Sequence, residues 1–432
     1  MAQKLLLTPS VKKINATITL PGSKSHTNRS LILASLAKNK SVLKNASISD
    51  DSLVLISALQ TLGVKIITQS NQITIYGTGG KFLPIKATIN VKAAGTSFRF
   101  LTALCAAIPG VEVILKGTKR LHQRPTKNLV QALNQLGANI TYLNQSGFPP
   151  LLIKGKKLQN SNQVSIKGSV SSQFFTALML ISPLLEKGLT IKVIGSQISR
   201  SYINMTIDSL KSFGIQLKNQ NFKQYQIKPH QIPKNCNLKI EGDASGASYF
   251  FSLAAVNQGT IKVRNFNPSS VQGDAQFPDL LAKMSCQIIK NSAQSWVSLT
   301  GPKNLTPIKV NMELMPDTAQ TLAVVAAFTQ GQTQIIGLST LKIKETDRLL
   351  ALNQELKKLG IVSQVTSNSI TITGGQPKSA QINTYQDHRM AMAFAAASGK
   401  IPITIKNPQV VTKSFPDFWN QIRKLGIKLT YS

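Results

Sequence analysis

The segment SKSHTNRSLILASLA, residues 23–37, is the first of six apolar stretches that begin with a polar or small residue. The other five are GTSFRFLTALCAA at 95–107, SSQFFTALMLISPLL at 171–185, DASGASYFFSLAAV at 243–256, PDTAQTLAVVAAF at 316–328 and DHRMAMAFAAASG at 387–399. They recur at a spacing of roughly 70 to 76 residues, and a fixed period of this kind indicates repeated supersecondary units. The pattern predicts six apolar helices, one in each repeat.

A second predicted helix follows each of these stretches and usually ends in a large apolar residue and a glycine. These pairs are Leu62-Gly63, Leu136-Gly137, Phe213-Gly214, Leu359-Gly360 and Leu425-Gly426, with Met284-Ser285 in the remaining place. Glycine is the expected residue just after a helix, and alternating runs such as VKIITQSNQITIYG at 64–77 predict strands next. The sequence is therefore predicted to be α/β, with three repeated units in each of two domains.

Length and composition predict a globular protein. The chain has 432 residues with 42% apolar content, enough to build the cores of two or three domains. No run approaches the apolar length of about 20 residues that crosses a bilayer, and the opening MAQKLLLTPSVKK lacks the apolar segment of a signal peptide. We therefore expect a cytoplasmic protein that makes no use of a membrane.

The motifs of several cofactor classes are missing from the sequence. Cys105, Cys236 and Cys286 lie far apart and form no CxxC pair, which argues against a disulfide framework and a zinc site. No GxGxxG follows an early strand, and Pro-Gly-Ser-Lys at 21–24 lacks the upstream glycine of a P-loop. We expect no metal and no redox cofactor.

The chain is strongly basic, with 50 Lys and Arg against 16 Asp and Glu and a net charge of +34. Such an excess attracts anions of every kind. Zinc-finger spacing and RNP-type motifs are missing, and aromatic residues make up only 6%, so we expect no specific nucleic-acid partner. Lysines spread along a chain form a solvated surface, and a small polyanionic substrate is the alternative that remains.

Acidic residues that persist in so basic a chain mark positions of interest. Ten of the sixteen fall in a few short segments: Asp50, Asp51, Glu241, Asp243, Asp274, Asp317, Glu345, Asp347, Asp387 and Asp417. Asp50, Asp51 and Asp243 are interpreted first as helix caps. Asp347 is interpreted as a surface partner of Arg348 or a nearby lysine.

Polar residues at or near the starts of the six apolar helices are candidates for anion binding, because backbone N–H groups are free there. They are Ser23, Thr96, Ser171, Asp243, Asp317 and Asp387. Basic residues accompany many of them: Lys24, Arg29, Arg99, Arg124, Lys344, Arg348, Arg389 and Lys413. Guanidinium and ammonium groups are what phosphate and carboxylate ligands require.

Eight segments resemble, in order and along essentially the whole chain, the 5-enolpyruvylshikimate-3-phosphate synthases, which are enolpyruvyl transferases. They are LPGSKSHTNRSLILASLA, AGTSFRFLTA, RPTKNLVQALNQLGA, GSVSSQFFTALML, EGDASGASYFF, IKETDRLLAL, TYQDHRMAMAFA and KSFPDFW. The resemblance implies a two-domain inside-out α/β barrel of six βαβαββ units. It implies a first domain at 21–238 and a second at 1–20 with 239–432, with the active site in the cleft between them.

The resemblance also implies an activity. The enzyme would transfer the enolpyruvyl group of phosphoenolpyruvate to the 5-hydroxyl of shikimate 3-phosphate and release phosphate by addition and elimination, in chorismate biosynthesis. It would be a 3-phosphoshikimate 1-carboxyvinyltransferase that works without a cofactor, as a cytoplasmic monomer whose partners are its two substrates.

Each substrate is assigned residues by the same resemblance. Shikimate 3-phosphate is assigned Lys24, Ser25, Arg29, Ser171, Ser172, Gln173, Ser199, Tyr202, Asp317 and Lys344. Phosphoenolpyruvate is assigned Lys24, Gly95, Arg124, Gln173, Arg348, Arg389 and Lys413. The expected catalytic groups are Asp317 near the attacking hydroxyl, Glu345 near the methylene carbon and Lys24, which assists proton transfer.

Two positions depart from the pattern of the family. Ala93 and Thr340 stand where asparagine is common. Loss of an amide removes a donor and an acceptor, so we expect lower affinity for one ligand or a substitute residue.

Two other functions stay open at this point. The sister enzyme that acts on UDP-N-acetylglucosamine carries a reactive cysteine before its Arg-Pro, but the corresponding loop here is GTKRLHQRPT, residues 117–126. Cys105 lies in an apolar helix, where we expect a raised thiol pKa and an inert side chain. An inactive module that binds RNA or acidic polymers would predict salt-dependent binding and no turnover.

Overall fold

The structure is a computed structural model that describes residues 3–432. The strands up to residue 240 are β1 Lys4–Thr8, β2 Asn15–Thr19, β3 Lys40–Lys44, β4 Lys65–Gln69, β5 Gln72–Tyr76, β6 Ile85–Asn90, β7 Val111–Lys116, β8 Asn139–Tyr142, β9 Leu151–Lys154, β10 Gln163–Lys167, β11 Leu189–Ile194, β12 Leu217–Gln220, β13 Gln224–Ile227 and β14 Asn237–Lys239. The helices are α1 Lys24–Leu36, α2 Asp50–Thr61, α3 Gly95–Ala106, α4 Lys119–His122, α5 Lys127–Gln135, α6 Ser172–Leu180 and α7 Arg200–Ser212.

The rest of the chain continues the same alternation of helices and strands. Its strands are β15 Thr260–Arg264, β16 Gln287–Asn291, β17 Trp296–Thr300, β18 Lys309–Asn311, β19 Gly331–Ile336, β20 Val362–Val365, β21 Ser369–Gly374, β22 Ala380–Ile382, β23 Ile403–Lys406 and β24 Lys428–Tyr431. Its helices are α8 Ala244–Asn257, α9 Phe277–Lys283, α10 Ala319–Ala326, α11 Arg348–Lys358, α12 His388–Ala395 and α13 Phe418–Lys424.

The chain divides into two compact units. The continuous unit is Gly22–Ile240, and the split unit is the chain up to Pro21 together with Glu241–Ser432. The sequence analysis predicted this continuous unit at 21–238, so its predicted start lies one residue before the observed start and its predicted end two residues before the observed end.

Each unit contains three four-stranded sheets within residues 3–432. In the continuous unit the strand orders are β14-β3-β5-β4, β6-β7-β9-β8 and β10-β11-β13-β12. In the split unit they are β16-β17-β15-β2, β18-β19-β21-β20 and β22-β23-β1-β24. Every sheet has one parallel pair and two antiparallel pairs. The sixfold repeat predicted from helix spacing is therefore present as six sheets of one topology.

Two strands pair outside the repeat whose first helix they precede. Strand β2 precedes α1 but pairs in parallel with β15 of the split unit, with Ile18 opposite Val263. Strand β14 precedes α8 but pairs in parallel with β3 of the continuous unit, with Leu238 opposite Leu43. Backbone hydrogen bonds decide strand pairing, so helix spacing alone could not predict this exchange.

Each unit has its own apolar core, built around the first helix of each repeat. Helices α1, α3 and α6 are buried along most of their length in the continuous unit, as are α8, α10 and α12 in the split unit. A helix that is apolar on all sides belongs in a core. The second helix of each repeat buries one face; α11, for example, buries Leu352 and Leu356 and exposes Leu350.

Glycines end the second helices as predicted. Gly63 and Gly137 have φ angles of 90° and 104° just after α2 and α5, a backbone region that favours glycine. Ser285 holds the corresponding place after α9 with a φ of 76°. The helices of residues 3–432 are all too short or too polar to span a bilayer.

Candidate active site

The residues predicted to bind substrate form two groups, one in each unit. The continuous unit holds Lys24, Ser25, Arg29, Gly95, Arg124, Ser171, Ser172, Gln173, Ser199 and Tyr202. The split unit holds Asp317, Lys344, Glu345, Arg348, Arg389 and Lys413. Most of these side chains lie in or next to the first turn of a helix, where backbone N–H groups have no partner within the helix.

Four of the six predicted helix starts carry a side-chain cap. The capping residues, whose side chains accept a hydrogen bond from a backbone N–H inside the helix, are Ser23, Ser171, Asp243 and Asp387. Thr96 lies inside the first turn of α3, and Asp317 lies in the short 3₁₀ segment Pro316–Thr318 before α10. A cap satisfies one N–H of the first turn, and the others remain available to an anion.

Lys24 is held by an acid that the sequence analysis did not place in the site. Its Nζ lies 2.9 Å from Oδ2 of Asp51, and the two side chains are 14% and 7% exposed. The interpretation of Asp50 and Asp51 as caps is wrong, because Ser49 precedes α2 and both acids lie in its first turn. Asp51 instead fixes the position of the Lys24 ammonium group.

Arg29 is a buried cation with neutral partners. Its Nε donates to Oγ1 of Thr206 at 3.0 Å, and its Nη1 and Nη2 donate to the carbonyl oxygens of Ser25 at 2.8 Å and Tyr202 at 3.2 Å. Burial lowers the pKa of Arg29 to about 10, against a small opposing effect of Tyr202. At neutral pH the guanidinium is still charged, and an anion would compensate its loss of water.

The amide of Gln173 joins two helix starts. Its Nε2 donates to Oγ1 of Thr96 at 3.1 Å, and its backbone N–H donates to Oγ of Ser171. Ser172 begins α6 and is buried. The polar groups assigned to both substrates are thus held next to one another at the starts of α3 and α6.

Gly95 allows two guanidinium groups to approach the start of α3. A Cβ atom at Gly95 would lie 2.3 Å from Nη1 of Arg124 and 2.9 Å from Nη1 of Arg99. Arg99 donates from Nη1 to the carbonyl oxygen of Gly95 at 2.8 Å. Two like charges near a helix N-terminus make a strongly anion-attracting position.

Ser199 and Tyr202 lie at the start of α7. Ser199 has a φ of 52°, in the left-handed region, and it is buried. The backbone N–H of Tyr202 donates to the carbonyl oxygen of Ser199 at 3.1 Å, and the carbonyl oxygen of Tyr202 accepts from Arg29. A non-glycine residue in this region is held there by its surroundings.

Arg348 binds three carboxylates at once in the split unit. Its Nε lies 2.7 Å from Oδ2 of Asp387, its Nη1 3.0 Å from Oδ1 of Asp317 and its Nη2 2.9 Å from Oε2 of Glu345. The side chain of Arg348 is only 1% exposed. Burial alone would lower the pKa of Arg348, but the three carboxylates outweigh it and raise the pKa.

The two predicted catalytic carboxylates also bind other cations. Oδ2 of Asp317 lies 3.0 Å from Nη2 of Arg389, and its Oδ1 lies 3.5 Å from Nζ of Lys344. Oε1 of Glu345 lies 2.9 Å from Nζ of Lys413. All six predicted residues of the split unit therefore belong to one ion-pair network.

Asp387 is a member of this network that the sequence analysis named as a candidate at a helix start but did not assign to a substrate or to catalysis. Its side chain is fully buried, it binds Arg348, and it accepts the backbone N–H of Arg389 at 2.9 Å. The scarcity of acids had already marked both Asp387 and Asp51 as positions of interest in the sequence, but no local pattern connected them to Arg348 and Lys24.

Other expectations for single residues can be compared with the structure. Asp347 caps α11 by accepting the backbone N–H of Leu350 at 3.2 Å, so its role is structural but its predicted partner is wrong. Asp243 is a cap, as predicted. His388 is buried beside Asp387. Burial raises the pKa of the Cys105 thiol to about 12, which agrees with an inert side chain.

The two departures from the family pattern have different surroundings. Ala93 is exposed in the loop before α3. Thr340 lies in the 3₁₀ segment Ser339–Ile343, and its buried Oγ1 makes no hydrogen bond within residues 3–432. The expected loss of affinity stays a prediction.

Together these groups suit acid–base chemistry on an anion. Buried arginines and lysines can bind phosphate and carboxylate oxygens and stabilise charge that develops on a leaving phosphate. Carboxylates held beside them can take up and return protons.

Comparison with protein families identifies one match along almost the whole chain. The family described as EPSP synthase (3-phosphoshikimate 1-carboxyvinyltransferase) matches residues 9–422. The chain is 39% identical over 432 residues to the 3-phosphoshikimate 1-carboxyvinyltransferase of Colwellia psychrerythraea, covering 98% of this chain and 100% of the relative. It is 40% identical over 414 residues to that of a Marinomonas species, covering 95% and 96%.

Solved structures of similar fold agree with the predicted fold class. The EPSP synthase of Acinetobacter baumannii superposes with a TM-score of 0.84 at 23% identity, covering 100% of both chains. The enolpyruvyl transferase NikO of Streptomyces tendae has a TM-score of 0.75 at 14% identity, covering 100% of this chain and 99% of the other. The two-domain inside-out α/β fold predicted from the sequence is confirmed.

Proposed function

Because this chain belongs to the EPSP synthase family, we propose how its own side chains carry out the family reaction. The enzyme transfers the enolpyruvyl group of phosphoenolpyruvate to shikimate 3-phosphate and releases phosphate. This transfer is a step of the shikimate pathway, which leads toward the aromatic amino acids.

One observation carries the assignment of the catalytic groups. Asp317 and Glu345 each bind Arg348 through one oxygen and a second cation through the other. Each carboxylate is therefore held in a fixed position yet remains 13% to 15% exposed. A carboxyl group that is fixed in position and open to a ligand fits proton transfer better than a purely structural ion pair does.

The phosphoenolpyruvate site is proposed to depend on cationic side chains. Lys24, Arg124, Arg348, Arg389 and Lys413 supply the positive charge that a phosphate and a carboxylate need. Gln173 contributes an amide group to the site, and Gly95, which has no side chain, leaves space for the ligand. The arginine forks can each bind two oxygens, whereas the lysines act as compact charges.

The shikimate 3-phosphate site is proposed to combine a phosphate-binding part and a ring-binding part. Arg29, Ser171 and Ser172 suit the phosphate, because a buried guanidinium and two hydroxyls at a helix start attract an anion. Gln173 and Tyr202 suit the ring. The other assigned residues are Lys24, Ser25, Ser199, Asp317 and Lys344.

The first step adds the ring hydroxyl to phosphoenolpyruvate. Asp317 accepts the proton of the 5-hydroxyl as the hydroxyl oxygen forms a bond to C2, while Glu345, in its protonated form, gives its proton to C3 and the C2–C3 double bond is lost. Glu345 is the proposed group beside C3, and Lys24 assists proton transfer. The product is a tetrahedral intermediate that still carries the phosphate.

The second step removes phosphate. Glu345 takes the proton back from C3, the C2–C3 double bond forms again, and the C2–O bond to phosphate breaks, while Asp317 releases the proton of the 5-hydroxyl to solvent. Lys24 and the surrounding arginines stabilise the charge that collects on the departing phosphate. Each positioned acid or base contributes about 10² to 10⁴ in rate, roughly 3 to 5 kcal/mol of barrier.

Phosphate release from phosphoenolpyruvate tests the acceptor. The assay is run with shikimate 3-phosphate, with UDP-N-acetylglucosamine and with neither acceptor. We expect release with the first alone. Release with the second alone would identify the sister reaction, and no release with either would contradict enzymatic activity and leave an inactive binding module as the better description.

Amide substitutions test the catalytic assignments. Glu345→Gln and Asp317→Asn should each lower kcat by about 10² to 10⁴, with a smaller effect on KM. Glu313→Gln is the matched control, because Glu313 is a partly exposed acid of the same unit. A loss in Glu345→Gln no larger than that in the control would remove Glu345 from the mechanism.

We also propose that the enzyme works in the cytoplasm as a monomer. The location is supported by the chemistry of the substrates, which are small charged metabolites that do not cross membranes unaided. Light scattering coupled to size exclusion should give a mass near the 46.8 kDa of one chain. A mass near twice that value would contradict the monomer.

A further inference from the structure

Asp274 is a buried acid that the mechanism above does not use. It lies in the 3₁₀ segment Gly273–Gln276 of the split unit and is 6% exposed. Its Oδ2 accepts a hydrogen bond from the hydroxyl of Ser245. Its Oδ1 is buried and makes no hydrogen bond to any residue of 3–432. An acid with one unpaired buried oxygen carries a large cost when it is charged.

Ser245 connects this acid to a cation of the proposed substrate site. Nη2 of Arg389 lies 3.5 Å from Oγ of Ser245 and 3.0 Å from Oδ2 of Asp317. A hydroxyl has one proton and two acceptor sites. Since Ser245 gives its proton to Asp274, its lone pairs are free to face Arg389. The contacts therefore run from Asp274 through Ser245 to Arg389.

The charges that face Asp274 place its titration near neutrality. Burial is the largest effect and raises its pKa, and the negative charges of Asp317 and Asp243 act in the same direction. Arg389 and the hydrogen bond from Ser245 lower it, and the result is a pKa of about 7. The acid and Arg389 thus attract each other only when Asp274 has lost its proton.

We propose that Asp274 is a positioning residue that regulates, through Ser245, how strongly Arg389 holds phosphoenolpyruvate. The proposal rests on the assignment of Arg389 to that substrate. Charged Asp274 competes with the ligand for the guanidinium, and neutral Asp274 leaves the guanidinium to the ligand. Binding of an anion at Arg389 should in turn favour the neutral acid, so the protein should take up a proton on binding.

The pH dependence of KM for phosphoenolpyruvate tests this proposal. KM and kcat are measured from pH 5.5 to 9 for the wild type, for Asp274→Asn and for the control Asp279→Asn, an exposed acid paired with Lys290. The phosphate of the ligand titrates near pH 6, but it does so equally with every variant. The ratio of wild-type KM to Asp274→Asn KM therefore reports only the effect of Asp274 on KM.

We expect this ratio to rise about tenfold between pH 6 and pH 8.5, which corresponds to a coupling of one pKa unit. The kcat ratio should change much less, because Asp274 does not touch the reacting atoms. Asp279→Asn should follow the wild type throughout. A KM profile of Asp274→Asn that runs parallel to the wild-type profile would overturn the proposal.

Two further variants separate this proposal from the proposed function. Ser245→Ala removes the hydroxyl that connects Asp274 to Arg389, so the KM of this variant relative to that of Asp274→Asn should lose most of its rise with pH. A rise as large as that of the wild type would also overturn the proposal. Arg389→Met should raise KM at all pH values. An unchanged KM in Arg389→Met would remove Arg389 from the substrate site, and the proposal would fall with it. A raised KM in Arg389→Met with parallel profiles for Asp274→Asn would overturn the proposal alone.

Discussion

At the scale of single residues, the missing side chain of Gly95 decides how closely two guanidinium groups approach the start of α3. Its Cβ position is already occupied by Nη1 of Arg124 and lies within 2.9 Å of Nη1 of Arg99. Both groups are the mobile ends of long side chains, so the fold can tolerate a methyl group there while the two charges move apart. The effect of a substitution should therefore fall on ligand binding.

We predict that Gly95→Ala raises KM for phosphoenolpyruvate about tenfold or more, in line with the roughly 1 to 3 kcal/mol cost of overpacking. The melting temperature should change little, because the Arg124 side chain can shift. Gly63→Ala is a poor control, since Gly63 has a φ of 90°; Gly375, which has open space around it, is a better one. Equal KM values for Gly95→Ala and the wild type would contradict the prediction.

Asp274 also links protonation to folding stability. Its pKa is about 7 in the folded protein and 3.8 in the reference state. Between these values the folded state binds more protons than the unfolded state, so the contribution of this group to stability falls as pH rises from about 4 to 7 and stays constant above.

Asp274→Asn should therefore raise Tm more at pH 8 than at pH 4.5, by about 2 to 4 °C for each kcal/mol. Thermal unfolding of both proteins at the two pH values measures the difference. A variant that is less stable than the wild type at pH 8 would mean that the charged acid stabilises the fold.

At the scale of elements, α11 contacts the loop before α12 at two places. Arg348 at its first position binds Asp387. Glu355, two turns later and fully buried, accepts hydrogen bonds from the backbone N–H of Asn383 at 3.0 Å and the hydroxyl of Tyr385 at 2.5 Å. These contacts hold a loop in which Tyr385 and the next residue both have positive φ.

We predict that Tyr385→Phe lowers the free energy of unfolding by about 1.5 to 3 kcal/mol, because it removes a hydrogen bond to a charged group. KM for phosphoenolpyruvate should also rise, since the loop leads directly to Asp387 and Arg389. Tyr431→Phe is the matched control, because Tyr431 is a partly exposed tyrosine of the same unit. Unchanged stability and KM would show that the loop keeps its conformation without this bond.

The whole molecule keeps most of its excess positive charge outside its buried residues. Several of the few acids are buried in ion pairs, as with Asp51, Asp387 and Glu355. With 50 Lys and Arg against 16 Asp and Glu, the outer surface is left strongly positive. Such a field steers anionic substrates toward the protein, and salt screens it over about 8 Å at physiological ionic strength.

We predict that kcat/KM for phosphoenolpyruvate falls severalfold as potassium chloride rises from about 20 to 500 mM, because screening weakens anion attraction. The value of kcat should change less and serves as the internal control. A flat kcat/KM over this range would mean that the surface charge has no part in substrate capture.

The sequence alone determined the features that depend on neighbours along the chain. Apolar periodicity predicted the buried helices, glycine predicted the ends of the second helices, and Ser23 and Ser171 were recognisable as caps because capping acts within one helical turn. Motif order led to the family and its activity.

Tertiary structure decided the strand pairings and the ion pairs, because these contacts join residues that lie far apart along the chain and that no local rule connects. Strands β2 and β14 pair with strands of another repeat through backbone groups that are alike in every residue. Asp51 reaches Lys24 across 27 positions and Asp387 reaches Arg348 across 39. An acid in the sequence shows only that a titratable group exists. The fold decides which cation lies beside it and how far it is removed from water, and these two factors set its pKa.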